Sequence, residues 1–306
     1  MVVNVITRHA PTNYGSLLQA IATQRVIMNL GHECRIINYI PKCETGVRMA
    51  ITQLEQKTKW RRNPIKKAIY LMVAEPETLL MDRKFLAMRK KYLLMGPCCA
   101  TTGELKKLYA EKKDEVFLTG SDQVWGPIST GHYDPTYFLD FVPKSSRKLA
   151  FAASFGKAIF DEQTLKEYRV LLKKYDSLAV RENVAVELLK KMDISAKQVL
   201  DPTLLMDADA WSEYVKPMKK PEKYVLVYQI HANSDLDHYA VKFAEKAELP
   251  LLRVSPLLHQ AKRSGKFVYC PDISGFLDLV KNATYMVTDS FHGTAFAINF
   301  NTQFVE

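Results

Sequence analysis

The stretch VVNVITRHAPTNYGSLLQAIATQRVIMNLGHECRIINYI, residues 2–40, decides the fold class. VVNVIT (2–7) is a β-branched run suited to a buried strand. Through NYGSLLQAIATQRVIMNLG the apolar residues recur three and four apart, the period of a helix with one buried face, and Gly31 ends it. ECRIINYI (33–40) is strand-like again. Strand, helix and strand in succession read as a βαβ unit, which makes a parallel sheet.

Outward from this unit the alternation continues, with one interruption. Residues 45–113, rich in Lys, Arg, Met and Leu, read as a helical basic insertion. EVFLTGS (115–121), KLAFAAS (148–154), SLAVRE (177–182) and KQVLDPTLL (197–205) resume the strand pattern, with helix-like DEQTLKEYRVLLKKY and NVAVELLKKMD between them. A second series runs KYVLVYQI (223–230), a helix, PLLRVS (250–255), a helix over ISGFLDLVKNA, TYMVTDS (284–290), a helix over GTAFAINFN, and TQFVE. The expectation is an α/β chain of two Rossmann-like domains, 1–208 and 209–306, facing a cleft.

Composition narrows the function classes. With 43 Lys+Arg against 33 Asp+Glu the chain carries +10, so an anionic partner is expected. No run of eighteen apolar residues marks a membrane span, and the start lacks the pattern of a signal peptide. Five cysteines at irregular spacing, with no CxxC pair and no HExxH, point to a reducing cytoplasm and no metal site. The insertion segment KTKWRRNPIKKAIYLMV (57–73) mixes six cations with apolar residues, as does DRKFLAMRKKYL (82–93). Such helices fit the anionic inner face of a membrane as well as an ordinary solvated helix face. No nucleic-acid recognition motif accompanies the charge, so no nucleic acid is expected.

In doubly wound sheets ligands lie beyond the carboxyl ends of the strands. After the first strand come Asn13, Tyr14 and Gly15, where helix-start amides favour an anion or hydroxyl ligand, a plain helix start being the alternative. GSDQVW (120–125) combines Ser121, the Asp122 carboxylate, the Gln123 amide and the Trp125 indole. Hydroxyl partners plus a stacking face suit a sugar; a turn with Trp125 in the core is the plain alternative. Arg181 follows SLAV directly, where its planar fork grips phosphate or carboxylate, or else pairs with Glu182. Lys157 follows KLAFAASFG. In TDSFHGT, Ser290 is placed to cap a helix, Gly293 to admit a ligand, and His292 to donate to an anion or move a proton.

Six segments, NYGSLLQA, LTGSDQVW, YFLDFVPKSSRKLAFAASFG, SLAVREN, VLDPTLL and VTDSFHGTAFAINF, together resemble the polysaccharide pyruvyl transferase family, bacterial capsule and exopolysaccharide members above all. They span about 14 to 305 in family order. The resemblance implies a glycosyltransferase-B-like fold. It implies transfer of pyruvate from phosphoenolpyruvate to a lipid-linked or nucleotide-linked sugar as a ketal, with no cofactor. It puts the donor anchor on Arg181 and the catalytic histidine on His292, with Ser290, Gly293 and Thr294 around the donor. The N-terminal motif and the GSDQVW loop fall on the acceptor side, with Asp122 placed to orient or deprotonate the hydroxyl. Ser290-Phe291-His292 stands where many members carry Arg-Leu-His, so either another cation serves, with Arg253 and Lys157 as candidates, or the donor differs. Two rival readings stay open: a glycosyltransferase using a nucleotide sugar, and a non-catalytic glycan-binding member.

Overall fold

The computed structural model describes residues 1–44, 51, 64–157 and 159–306, with backbone alone for 64–75. The basic stretch 57–73 therefore lies outside the described side chains. The chain divides into two compact units. Unit 1 comprises 1–11, 19–76 and 89–202; unit 2 comprises 12–18, 77–88 and 203–306. The first turn of the first helix and the middle of the long basic helix thus group with the second sheet.

In unit 1, β1 (Val2–Ile6), β2 (Glu33–Ile36), β3 (Val116–Thr119), β4 (Lys148–Ala153), β5 (Ser177–Val180) and β6 (Lys197–Gln198) form one parallel sheet in the order β2-β1-β3-β4-β5-β6. The first connection is α1 (Tyr14–Asn29). Gly31, at φ +81°, takes the left-handed turn that stops it. α2 (Pro64–Tyr92) and α3 (Thr102–Tyr109) lie in the expected insertion, and α3 begins with a reciprocal capping box between Thr101 and Glu104. α4 (Glu162–Leu172) and α5 (Asn183–Lys191) present Tyr168, Leu171, Leu188 and Leu189 to the sheet. The core they close holds Phe117, Trp125, Tyr137, Phe138 and Phe155. Near its end β4 bulges: the register with β5 shifts between Ala150 and Ala153, and Ala152 sits at φ 56°. A bulge re-aims the residues that follow it.

In unit 2, α6 (Ala208–Ser212) precedes a second parallel sheet of β7 (Val225–Tyr228), β8 (Leu251–Ser255), β9 (Lys266–Tyr269), β10 (Tyr285–Thr288) and β11 (Gln303–Val305), ordered β11-β10-β7-β8-β9. The central strand β7 is buried along its whole length, as a strand covered on both faces must be. α7 (Ser234–Lys246), α8 (Ile273–Lys281) and α9 (Phe291–Asn299) make the connections. β9 has no counterpart among the strands expected from the sequence. KFVY is short, follows a polar Arg-Ser-Gly turn and forms a half-buried edge, so it lacks the long apolar run that marked the other strands. Both sheets are parallel and helix-covered, so the α/β class expected from residues 2–40 holds. Among the described residues no helix is long and apolar enough to cross a membrane.

Candidate functional site

The polar residues of unit 1 gather where β1, β3, β4 and β5 end. Thr7, just past β1, donates its hydroxyl to the Ser121 carbonyl at 2.7 Å, and Gln19 Nε2 donates to Thr7 Oγ1 at 2.8 Å. Ser121 Oγ donates in turn to Asp201 Oδ2 at 2.6 Å. The same oxygen accepts from Arg181 Nη1 at 3.1 Å, while Arg181 Nε donates to Glu182 Oε1 at 2.8 Å. Burial opposes the charge on Arg181, but Asp201, Glu182 and Asp122 outweigh it, so the guanidinium is held charged above its ordinary pKa. The pairing with Glu182 read as the plain alternative is present. It is not a surface pair, because the arginine side chain is only 11% exposed.

Asp122 adopts φ 78°, a left-handed conformation that aspartate tolerates better than most residues. Its carbonyl accepts from Val124 N at 2.8 Å and Ser154 N at 3.1 Å, which ties the loop after β3 to the bulged end of β4. Two uncommon backbone conformations, Asp122 and Ala152, therefore sit on adjacent strand ends. Such conformations persist where surrounding structure enforces them, and they concentrate at functional sites. Next to them a cavity of about 160 Å³ is lined by Gln123, Phe155, Gly156, Lys157, Glu182, Val184 and Ala185. It adjoins the start of α5, where the Glu182 side chain makes no cap. Gly156 is required there: its φ is +69°, and a Cβ would fall 2.7 Å from Gln123 Cδ. Lys157 is exposed, with Nζ 5.0 Å from the centre of the Phe160 ring.

Two acceptor assignments in this loop are corrected by burial. Trp125 is fully buried, stacked on Phe138 at 5.7 Å and packed against Phe155 and Tyr175. Both of its faces serve the core, and none is left for a sugar. Ser121 is buried too, and its hydroxyl is committed to Asp201, so it fixes a carboxylate rather than meeting a ligand. Gln123 and Asp122 stay accessible.

In unit 2 the opening turn of α1 meets the start of α9. Asn13 caps α1, its Oδ1 accepting from Gly15 N at 2.7 Å and Ser16 N at 3.4 Å. A Cβ on Gly15 would stand 2.3 Å from His292 Nδ1 and 2.6 Å from its Cγ. The imidazole therefore lies directly on the glycine backbone. Phe291 meets the same ring edge-on at 5.1 Å. Ser290 is the cap of α9, accepting from Gly293 N at 3.2 Å. A Cβ on Gly293 would meet Thr288 Oγ1 at 2.4 Å, so that glycine admits its own strand end rather than a ligand. Thr294 is half-buried one residue on. Asp289, not anticipated, accepts from Ile230 N at 2.7 Å and His231 N at 2.9 Å, pinning the loop after β7 beside His292's helix.

Two further assignments in unit 2 are corrected. Tyr14 is fully buried, donates to the Pro271 carbonyl at 2.6 Å and stacks on Phe276 at 4.3 Å, so it anchors the turn rather than binding an acceptor. Arg253 is 1% exposed. Its Nη2 pairs with Asp237 Oδ1 at 2.8 Å and its Nη1 donates to Gln229 Oε1 at 3.2 Å. Burial lowers its pKa, partly offset by Asp237. A guanidinium spent inside the unit cannot replace the arginine missing before His292. Asp201 and Asp289, the anchors missed, each follow an apolar run, in VLDP and VTDS. That signal was available, but their residue type alone gave no partner.

With this geometry in hand, the family model for polysaccharide pyruvyl transferase matches residues 13–305. The chain belongs to that family. Solved structures resemble this polysaccharide pyruvyl transferase family member in fold. The S. aureus MnaA–UDP co-structure has a TM-score of 0.56 at 11% identity, covering 99% of this chain and 77% of that one. Methanocaldococcus jannaschii UDP-GlcNAc 2-epimerase, in complex with UDP-GlcNAc and UDP, scores 0.51 at 16% identity, covering 99% and 83%. An alpha-glucosyltransferase in complex with UDP and a 13-mer DNA scores 0.52 at 10% identity, covering 95% and 73%. These neighbours establish a glycosyltransferase-B-type fold. Among proteins of curated function, none matches the chain.

Proposed function

We propose that this family member transfers the enolpyruvyl carbon skeleton of phosphoenolpyruvate to two hydroxyls of a lipid-linked or nucleotide-linked sugar, forming a ketal. The observation that carries this reading is His292, seated on Gly15 at the start of α9 in a chain of this family. A helix start favours an anion through its backbone amides, so the donor's phosphate or carboxylate is expected beside the imidazole.

The chemistry balances without an added reactant. The donor methylene takes one proton and becomes a methyl group. A sugar hydroxyl attacks the adjacent cationic carbon, phosphate leaves, and a second hydroxyl closes the ring. The two hydroxyls lose two protons; one ends on the methyl and one on the departing phosphate. His292 as imidazolium serves as the acid for the methylene or as a cation assisting phosphate departure. General acid–base help of this kind is worth roughly 10²–10⁴ in rate. In unit 1, Asp122 is accessible and held in a fixed backbone conformation, which supports its role toward the acceptor hydroxyl. Arg181 would anchor the donor by exchanging its half-exposed Glu182 partner for the ligand while Asp201 keeps it in place. Lys157, exposed in the lining of the unit 1 cavity that also holds Glu182, adds a second cation on the side of Arg181.

Isothermal titration with phosphoenolpyruvate tests this. The wild-type chain is expected to bind, and Arg181→Ala and His292→Ala to lose at least tenfold in affinity, the equivalent of about 1.4 kcal/mol or more. Absence of binding by a well-folded protein, with binding of a uridine or guanosine diphosphate instead, would move the function to nucleotide-sugar transfer.

A further inference from the structure

Unit 2 carries a cavity of about 540 Å³ that no step above uses, lined by Tyr239, Lys242, Phe243, Lys246, Ala247 and Tyr285. This volume is within the usual range for small-ligand sites, roughly 300–1,000 Å³. Four of the lining residues follow the spacing of one helix face on α7. Tyr285 opens β10 beneath them. The Tyr239 and Phe243 rings stack at 5.8 Å and 18°, and Tyr285 meets Phe243 edge-on at 5.1 Å. Tyr239 remains 43% exposed, an open aromatic face. Both charged groups in the lining are lysines, and no carboxylate lines the cavity.

A flat aromatic surface with a hydroxyl at its edge suits the apolar C–H face and the hydroxyls of a pyranose. Two ammonium groups on one side select an anionic substituent. Catalysis and this groove lie at opposite ends of one strand: Tyr285 begins β10, and His292 follows its end at Thr288. Three residue steps of strand run from Tyr285 to Thr288, about 10 Å at 3.3 Å each.

We propose that this groove is a second saccharide site that holds a sugar carrying a carboxylate, the group a pyruvyl ketal adds. The choice of saccharide rests on the transferase reading; the presence of an anion-selective aromatic groove does not. A site of this kind would keep a growing or already modified glycan on the protein while the reaction centre turns over.

The test is titration of the isotope-labelled full chain, followed by amide shifts, with a methyl galactoside bearing a 4,6-pyruvyl ketal and with the unmodified galactoside. Shifts are expected on α7 and at Tyr285 with the ketal. The neutral sugar is expected to bind at least about tenfold more weakly, a difference of about 1.4 kcal/mol. Lys242→Glu with Lys246→Glu, and separately Tyr239→Ala, are expected to weaken the ketal about tenfold or more. Both changes are at exposed positions, so folding is retained, and circular dichroism checks it. His292→Ala is expected to leave the groove's affinity unchanged, which separates failure here from failure of the transferase reading. Shifts absent from α7, equal affinity for the neutral sugar, indifference to the charge reversal, or tighter binding of a single-stranded oligonucleotide on the same face would each overturn the proposal.

Discussion

Substituting Gly15 by alanine places one methyl group against the proposed acid. The added carbon would stand 2.3 Å from His292 Nδ1, 2.6 Å from Cγ and 3.0 Å from Cβ, where ordinary contact begins near 3.4 Å. Relief requires the ring to retreat by about 1 Å, because the opposing element is helix backbone that cannot yield as a side-chain tip can. Stability should change little. Overpacking costs roughly 1–3 kcal/mol, and replacing glycine by alanine within α1 returns up to about 1 kcal/mol of helix propensity. Catalysis should change much more, since a misplacement of about 1 Å at a reacting group costs on the order of 10²-fold. The assay is phosphate release from phosphoenolpyruvate with a sugar acceptor, alongside the midpoint of denaturant unfolding and the imidazole resonances of His292. The expected result is a turnover loss of about 10²-fold with an unfolding free energy within about 2 kcal/mol of wild type. Unchanged turnover with unmoved His292 resonances would refute the idea that Gly15 seats the ring.

Three other predictions follow from buried groups. His9 is fully buried in unit 1 and its pKa falls from 6.5 to about 4, chiefly through burial, opposed by hydrogen bonds to Thr7 and Asn38. The unfolded chain binds the extra proton between those values, so stability is full above pH 6.5 and falls by about 3 kcal/mol as pH drops to 4. Denaturant unfolding across that range should show the slope in wild type and a flatter profile in His9→Gln. Trp125→Ala should cost about 3–5 kcal/mol by thermal or denaturant unfolding, the range for a large core aromatic, whereas a ligand-stacking tryptophan would cost far less. Asp201→Asn keeps the shape but removes the charge that holds Arg181 and Ser121. It should weaken phosphoenolpyruvate at least tenfold in the same titration as Arg181→Ala, and combining the two changes should cost less than their sum.

Residues 2–40 alone determined the class of this molecule. A β-branched run, a helical period closed by Gly31 and a second strand permit only a parallel connection, and the same alternation repeats down the chain. Those patterns are local, set by backbone geometry and by which side chains tolerate burial, so they survive without a structure. The positions of Asp122, Arg181 and His292 at strand ends were legible for the same reason. What tertiary structure decided is which polar and aromatic groups are spent internally. Trp125, Tyr14 and Arg253 carry the residue types a ligand site uses, yet each finds its partners inside its own unit: Phe138 and Phe155, Pro271 and Phe276, Asp237 and Gln229. Conversely, the sequence offers Gly15 as a helix start open to a ligand, and only the structure shows that His292, far along the chain, rests on it. Burial and pairing depend on contacts between residues distant in sequence, and a single sequence records the residue types without recording which of them meet.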